Sequence, residues 1–154
     1  MKPNSNSDSL LFVCLGNICR SPMAAGIMRK LYADQKILAE IESAGTADWN
    51  AGRPADHRAI SVAREFGVDL SAHRARQIRP EDFSNFDHIL IMDRSNESAL
   101  HKIAPKEFKS KIRFIAESVE VADPYSGDLT TFRQTYKLLE KSCSAFLAEI
   151  ARTR

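Results

Sequence analysis

The chain has 154 residues, of which 44% are hydrophobic and 27% are charged, and its net formal charge is +2. This length and apolar content suit one globular domain, while the small net charge lacks the basic excess that nucleic-acid binding requires. No apolar run reaches the roughly 18 residues of a membrane-spanning helix. We therefore expect a single domain with neither nucleic acid nor a membrane as a partner.

The N-terminal segment and the cysteines indicate a reducing compartment. Residues 1–8 (MKPNSNSD) are polar and lack the apolar stretch of a secretory signal. We interpret them as a tail, place the domain at residues 9–154 and expect a cytoplasmic location. Cys14, Cys19 and Cys143 are odd in number and do not make a disulfide framework, so free thiols are available for chemistry.

The first half of the chain alternates short apolar runs with helical periodicity, which predicts parallel βα units in an α/β fold. Residues 10–13 are all apolar, as in strands buried on both faces of a sheet. Pro22 suits the first turn of the helix that follows, whose apolar stripe begins at Met23. A weaker strand is expected near Ile41, and residues 44–55 have the Gly, Asn and Pro content of a loop.

The second half continues this alternation. A helix is predicted from Asp56 to Gly67, a strand at residues 88–92 with Ser95 as the candidate N-cap of the next helix, and a last strand at residues 112–115. The final helix has the clearest pattern, with a predicted capping box of Thr131 and Gln134 at its start. Its apolar residues recur at steps of three and four: Phe132, Tyr136, Leu139, Cys143, Phe146 and Ile150.

The segment VCLGNICRSP, residues 13–22, lies where the first strand is expected to end and the first helix to begin. Ligands of open α/β sheets bind beyond the carboxyl ends of the strands, and amides at a helix N-terminus form an anion site. The same helix end favours the thiolate of Cys14. Arg20 adds a planar guanidinium that matches two phosphate oxygens, and Gly16 and Asn17 tolerate the dihedral angles of a tight loop.

Other interpretations of these residues compete. Cys14 and Cys19 would make half of a zinc site, but no further cysteine or histidine pair with ligand spacing completes it. A buried strand-end thiol is the second interpretation of Cys14, and the segment lacks the Gly-Lys-Ser/Thr of a nucleotide-binding loop. We expect neither a metal ion nor a cofactor.

Residues outside the loop are ambiguous by themselves. Asp123 precedes a proline and is more typical of a turn, while Trp49 fits core packing as well as ligand contact. Asp93 ends a buried strand on the ligand side, so it either faces the site or caps the next helix. Cys143 lies on the apolar stripe of the last helix, which indicates packing.

Taken together, the motifs resemble those of the low-molecular-weight protein tyrosine phosphatases. The Cys-x₅-Arg-Ser loop occurs near the N-terminus as CLGNICRSP, and Asp123-Pro124-Tyr125 occurs near the C-terminus. Between them lie SAGT at 43–46, Trp49-Asn50, HRARQI at 73–78 and MDRSN at 92–96. The resemblance covers nearly all of residues 10–150. It implies a four-stranded parallel sheet with helices on both faces and a phosphate-binding loop after the first strand.

The resemblance implies that the protein hydrolyses phosphotyrosine in protein substrates through a phosphorylated cysteine, without a metal. Cys14 would be the nucleophile, Arg20 would bind the phosphate and stabilise the transition state, and Asp123 would be the general acid and base. The phosphate-binding loop would consist of Leu15, Gly16, Asn17, Ile18, Cys19, Arg20 and Ser21.

Supporting roles are implied in the same way. Ser21 would stabilise the Cys14 thiolate, and Cys19 would trap an oxidised Cys14 as a disulfide. Many members of the family have a second tyrosine at the position of Ser126. Part of the aromatic wall beside the substrate is therefore missing, which concerns the specificity at that flank and not the chemistry. The remaining implied residues support the loop (Asn17, Ser43 and His73) or flank the substrate ring (Trp49 and Tyr125).

Three competing functions are less well supported. Arsenate reductases of this fold need further cysteines in mid-chain, and none lies between Cys19 and Cys143. Protein-arginine phosphatases are the main alternative, but they carry Thr where this chain has Ile18. A non-catalytic phosphotyrosine-binding module would lack the cysteine or the acid. The sequence specifies neither the substrate protein nor an oligomeric state.

Overall fold

The computed structural model describes residues 7–117 and 119–153. The strands β1 (Leu10–Cys14), β2 (Ile41–Gly45), β3 (His88–Ile91) and β4 (Ile112–Phe114) form one parallel sheet in the order β2-β1-β3-β4. The α-helices are α1 (Arg20–Asp34), α2 (His57–Glu65), α3 (Asp82–Asn85), α4 (Arg94–Ile103) and α5 (Leu129–Arg152), with a 3₁₀ helix at Lys106–Lys111. This architecture confirms the predicted α/β class and the four-stranded parallel sheet.

Alternating residues of β1 face two separate cores, because successive side chains of a strand point to opposite faces. Leu10 and Phe12 lie in the core shared with α1, α2 and α5, whereas Leu11 and Val13 lie in the core shared with α3 and α4. All four side chains are fully buried. Helices therefore cover both faces of the sheet, as predicted, and this burial fixes the end of β1 at Cys14.

Two predicted helix caps are wrong. The N-cap of α4 is Asp93 rather than Ser95, since the Asp93 carboxylate accepts hydrogen bonds from the Asn96 backbone N–H and the Ser95 hydroxyl. Helix α5 begins earlier than the predicted capping box, because Asp128 is its N-cap and accepts from the Thr131 N–H. In both cases the side chain of an upstream aspartate accepts the hydrogen bond of a free helix amide, so the helix begins before the predicted residue.

The first described residues contact the domain. Asp8, which was assigned to the tail, contacts the domain through the Tyr32 hydroxyl, which donates to its carbonyl at 2.9 Å, and through His88 Nε2, 2.7 Å from its carboxylate. Ser7 is buried, and residues 1–6 lie outside the described residues.

In the described part of the chain, no helix combines the length and apolar character needed to cross a membrane.

The carboxyl ends of the central strands converge at one edge of the sheet. The residues after Cys14 start the first loop there, and the Thr46 N–H donates to the Cys14 carbonyl from the loop after β2. From a third segment, the Val121 N–H donates to the Met92 carbonyl beyond β3 at 2.9 Å. This hydrogen bond brings the C-terminal segment that contains Asp123 to the edge where the first loop lies.

Candidate active site

The loop between β1 and α1 surrounds the thiol of Cys14, which is 2% exposed. The Asn17 backbone N–H donates to Cys14 Sγ at 3.3 Å, and the Ser21 hydroxyl lies 3.0 Å from the same sulfur. Both groups can donate to a thiolate, and α1 begins at Arg20 immediately behind them. A cysteine at a helix N-terminus with such donors is set up to act as a nucleophile.

Asn17 has a left-handed backbone, with a φ of 58°. Its side-chain Nδ2 donates to Ser21 Oγ at 2.8 Å and to Ser43 Oγ at 3.0 Å, and its side-chain Oδ1 accepts from the Arg76 N–H at 2.9 Å. Asparagine tolerates this conformation better than most residues, and three hydrogen bonds hold it there. Ser43 therefore contacts the loop through Asn17, and it does not line the cavity into which the loop opens.

His73 supports the same residue from outside the loop. Its Nε2 lies 2.7 Å from the Asn17 carbonyl, which can only accept, so Nε2 carries a proton. Burial lowers the pKa of His73 below its usual value. A neutral ring that donates from Nε2 is therefore the form present at neutral pH.

The loop after β2 packs directly against the loop between β1 and α1. The Ala47 N–H donates to the Leu15 carbonyl, and Asn50 Nδ2 donates to the Gly16 carbonyl at 3.1 Å. A Cβ atom at Gly45 would lie 2.8 Å from the Leu15 carbonyl oxygen, so only glycine permits this approach. The supporting contact of Asn50 was not predicted, although the residue belongs to a matched motif.

Arg20 is 2% exposed and is held by two acceptors. One terminal nitrogen donates to Asp93 Oδ2 at 2.7 Å and to the Val121 carbonyl at 2.8 Å. Its Nε has no hydrogen-bond partner among the described residues. Burial alone would lower the pKa of Arg20, but the nearby Cys14 and Asp93 raise it, so the guanidinium stays charged.

Of the two alternatives left open by the sequence, Asp93 is the helix cap, and it contacts the site only through Arg20. It caps α4 and orients Arg20 from the carboxyl end of β3. Burial would raise the pKa of Asp93, but hydrogen bonds from Arg20 and from the Asn96 N–H hold it below its usual range. Asp93 is therefore an anion that balances the buried guanidinium.

Asp123 is close to the Arg20 side chain but more exposed. Its Oδ2 lies 3.9 Å from a terminal nitrogen of Arg20, and 47% of its side chain is accessible. Its Oδ1 accepts from the Tyr125 N–H at 3.1 Å, which is the turn expected before a proline. The turn and the site interpretation of this residue are therefore compatible.

The loop opens into a cavity of about 340 Å³. Cys14 and Arg20 are almost inaccessible, whereas Trp49 and Tyr125 are 66% and 58% exposed, which places the aromatic residues at its rim. Arg53 also lines the cavity and was missed, because a charged residue in a loop gives no distinctive signal. The lining residues are Cys14, Leu15, Gly16, Asn17, Ile18, Cys19, Arg20, Trp49, Asn50, Arg53, Asp123 and Tyr125.

The other two cysteines differ in position. Cys19 lines the cavity and is 4% exposed, and burial, followed by the nearby Asp56, raises the pKa of its thiol. Cys143 is fully buried on α5, where its sulfur lies 3.8 Å from the Ala24 carbonyl. Cys143 is therefore a packing residue, and Cys19 is a protonated thiol in the same cavity as Cys14.

A buried cysteine that accepts from a loop amide and an arginine at the start of the next helix are the features of a cysteine-dependent phosphatase site. The profile of the family described as "Low molecular weight phosphotyrosine protein phosphatase" matches residues 9–154. A relative from Sus scrofa with that name is 42% identical over 151 residues, which cover 92% of this chain and 95% of its own. The chain therefore belongs to the low molecular weight phosphotyrosine protein phosphatase family, whose members are metal-independent hydrolases.

Solved structures agree with this assignment. A protein tyrosine phosphatase from Entamoeba histolytica, crystallised with Hepes in the active site, has a TM-score of 0.91 at 34% identity, with 96% of this chain and 99% of that chain covered. Wzb from Vibrio vulnificus, in complex with benzylphosphonate, has a TM-score of 0.84 at 32% identity, with 92% and 98% covered. The resemblance inferred from the motifs is thereby confirmed for the family and the fold.

The position of His73 predicts a pH dependence of stability. Because folding lowers its pKa, the unfolded chain gains a proton below about pH 6.5 before the native protein does, so the free energy of unfolding falls as the pH drops. His73→Gln can keep a donor to Asn17 without titrating. Urea unfolding at pH 7 and pH 5 should show that the free energy of unfolding falls less for His73→Gln than for the wild type. Equal decreases in the two proteins would contradict a lowered pKa of His73.

Proposed function

We propose that this protein is a protein-tyrosine phosphatase that forms a cysteinyl-phosphate intermediate on Cys14. The observation that carries the proposal is that Cys14, Arg20 and Asp123 all open onto one cavity. A nucleophile, a fixed positive charge and a carboxyl group are the three groups that phosphoryl transfer from an ester to a thiol requires.

The phosphate would bind where the loop amides and Arg20 are free to donate. The buried Nε of Arg20 lacks a partner within residues 7–117 and 119–153, and a buried donor left unpaired is costly. A phosphate oxygen supplies the missing acceptor. At the other edge of the guanidinium, one terminal nitrogen donates to Asp93 and to the Val121 carbonyl. The orientation of Arg20 is therefore fixed before the substrate arrives.

The reaction then proceeds in two displacements. The Cys14 thiolate attacks phosphorus while the bond to the tyrosine oxygen breaks, and the Asp123 carboxyl gives its proton to that oxygen. Water next attacks the cysteinyl phosphate and loses a proton to Asp123, which breaks the S–P bond and releases inorganic phosphate. Ser21, 3.0 Å from the sulfur, stabilises the thiolate as it leaves.

The shape of the cavity favours an aryl ester. The nucleophile is nearly inaccessible, and the exposed rings of Trp49 and Tyr125 lie at the rim. Tyrosine has an aromatic ring between its backbone and the ester oxygen, whereas serine has a single methylene. A tyrosyl phosphate therefore reaches Cys14 while its ring contacts both aromatic residues.

We propose a reducing compartment such as the cytoplasm for this activity. Cys14, Cys19 and Cys143 are all free thiols in the structure, and the proposed mechanism requires Cys14 in its reduced form. Reduced thiols are kept by the glutathione and thioredoxin systems of the cytosol.

Peptides that carry phosphotyrosine, phosphoserine or phosphoarginine test the function directly. We expect turnover of the phosphotyrosine peptide, loss of that turnover by about a thousandfold or more in Cys14→Ser, and retained binding of inorganic phosphate by this variant. Isothermal titration with phosphate is the folding control. Faster turnover of phosphoarginine would replace the proposal with the arginine phosphatase, and an active Cys14→Ser variant would exclude Cys14 as the nucleophile.

The role of Asp123 predicts a dependence on the leaving group. A tyrosine phenol has a pKa of about 10, and a positioned acid contributes about 10²–10⁴-fold to its departure. Asp123→Asn should slow phosphotyrosine cleavage strongly and 4-nitrophenyl phosphate cleavage much less, since that phenol is far more acidic. Single-turnover rates measure the cleavage of each of the two esters. An equal loss on the two esters would assign Asp123 to loop structure instead.

Cys19 predicts reversible inactivation by peroxide. Peroxide oxidises Cys14 to a sulfenic acid, and the Cys19 thiol then attacks this sulfur, which forms a disulfide and releases water. Because Cys19 is held protonated, the first oxidation falls on Cys14. Dithiothreitol should restore the wild type, whereas Cys19→Ser should recover less after the same exposure. Equal recovery would exclude the protective role of Cys19.

A further inference from the structure

Arg58, in the first turn of α2, connects two segments of the site without lining the cavity. Its Nε lies 3.0 Å from Asp56 Oδ1 and one terminal nitrogen lies 2.8 Å from Asp56 Oδ2, so both carboxylate oxygens are engaged. The other terminal nitrogen donates to the Gly127 carbonyl at 2.8 Å. One guanidinium therefore joins the start of α2 to the segment that follows Asp123.

The same guanidinium contacts the aromatic residues next to that segment. Its central carbon lies 5.4 Å from the centre of the Tyr125 ring and 4.5 Å from that of Phe132. The Gly127 N–H donates to the Pro124 carbonyl, which closes a turn between the two contact points. Arg58 thus holds the turn from Tyr125 to Gly127, directly after Asp123.

The other end of this connection is the phosphate-binding loop. The Asp56 backbone N–H donates to the Ile18 carbonyl at 2.8 Å. Asp56 is largely buried, and although burial would raise its pKa, hydrogen bonds from Arg58 hold it below the usual range. A continuous path therefore runs from Ile18 through Asp56 and Arg58 to the segment of Asp123.

Asp123 needs such external support. Within the described part of the chain, its carboxylate accepts from the Tyr125 N–H and lies 3.9 Å from Arg20, and its side chain is half exposed. Proton transfer requires the carboxyl group within hydrogen-bond reach of the leaving oxygen, and a displacement of about 1 Å can cost about 10²-fold in rate. The position of the turn behind Asp123 therefore controls its reach.

We propose that Arg58 is a positioning residue for proton transfer, because it holds the Asp123 segment in register with the phosphate-binding loop. This inference rests on the proposed phosphatase function. Arg58 touches neither the substrate nor the reacting atoms, so its effect passes through Asp123. Its loss is predicted to impair proton donation to the leaving tyrosine oxygen and to leave phosphate binding and the position of Cys14 intact.

The chain offers a matched control at the same helix pair. Arg133 on α5 binds both carboxylate oxygens of Glu65 on α2, each at 2.9 Å. Arg133→Met removes an ion pair between α2 and α5, and among the described residues Arg133 has no hydrogen bond or ion pair with residues 123–127. Arg58→Met and Arg133→Met therefore separate positioning of the acid from stability of the helix packing.

The experiment measures single-turnover rates on a phosphotyrosine peptide and on 4-nitrophenyl phosphate. We expect Arg58→Met to slow the peptide by about 10- to 100-fold, to slow the activated ester much less, and to leave inhibition by inorganic phosphate unchanged. Arg133→Met should change neither rate. In an Asp123→Asn background, Arg58→Met should cause little further loss, because the proton donor is already absent.

Equal slowing of both esters by Arg58→Met, or losses that multiply fully in the double variant, would overturn the positioning role. If Arg58→Met does not fold, Arg58→Lys decides the question, since lysine keeps the charge but not the two-sided contact with Asp56 and Gly127. A lysine variant with the wild-type ratio of the two rates overturns the inference. A wild-type protein that is inactive on phosphotyrosine would refute the proposed function instead.

Discussion

The buried guanidinium of Arg20 is the constraint around which this edge of the sheet is organised. A charge removed from water costs several kcal/mol unless it is paired and hydrogen-bonded. Asp93 and the Val121 carbonyl provide that compensation from two different segments. These hydrogen bonds connect the first turn of α1 to the end of β3, the start of α4 and the C-terminal segment. What remains unpaired, the Nε group, is the part that an oxyanion can satisfy.

The loop between β1 and α1 contains one residue with a strained backbone, and this residue is supported on several sides. Asn17 has a positive φ and is held through its side chain by Ser21, Ser43 and the Arg76 N–H, and through its carbonyl by His73. Such strain persists only where the surroundings over-determine the conformation. The Asn17 N–H is consequently oriented toward Cys14 Sγ before a ligand binds, and such prior orientation of donors is the condition for strong stabilisation of a developing charge.

The two halves of the site differ in how firmly they are held. The proposed nucleophile, Cys14, lies at the end of a central strand with fully buried neighbours, whereas the proposed acid, Asp123, lies on an exposed turn. Arg58 and Asp56 provide a fixed path between these regions. This division suits a reaction in which the phosphate must be held rigidly while substrates enter past the aromatic rim and product tyrosine leaves.

The sequence alone determined the features that depend on neighbouring residues: the strand ending at Cys14, the anion loop, and Arg20 at the start of a helix. It placed the caps of α4 and α5 wrongly, because several polar residues competed within one turn for the same amides. The pairing of Arg20 with Asp93, 73 residues away, and the contacts of Asn50, Arg53 and Arg58 were decided only by the tertiary structure. These partners come from separate loops, and which loops meet depends on how the strands are ordered in the sheet.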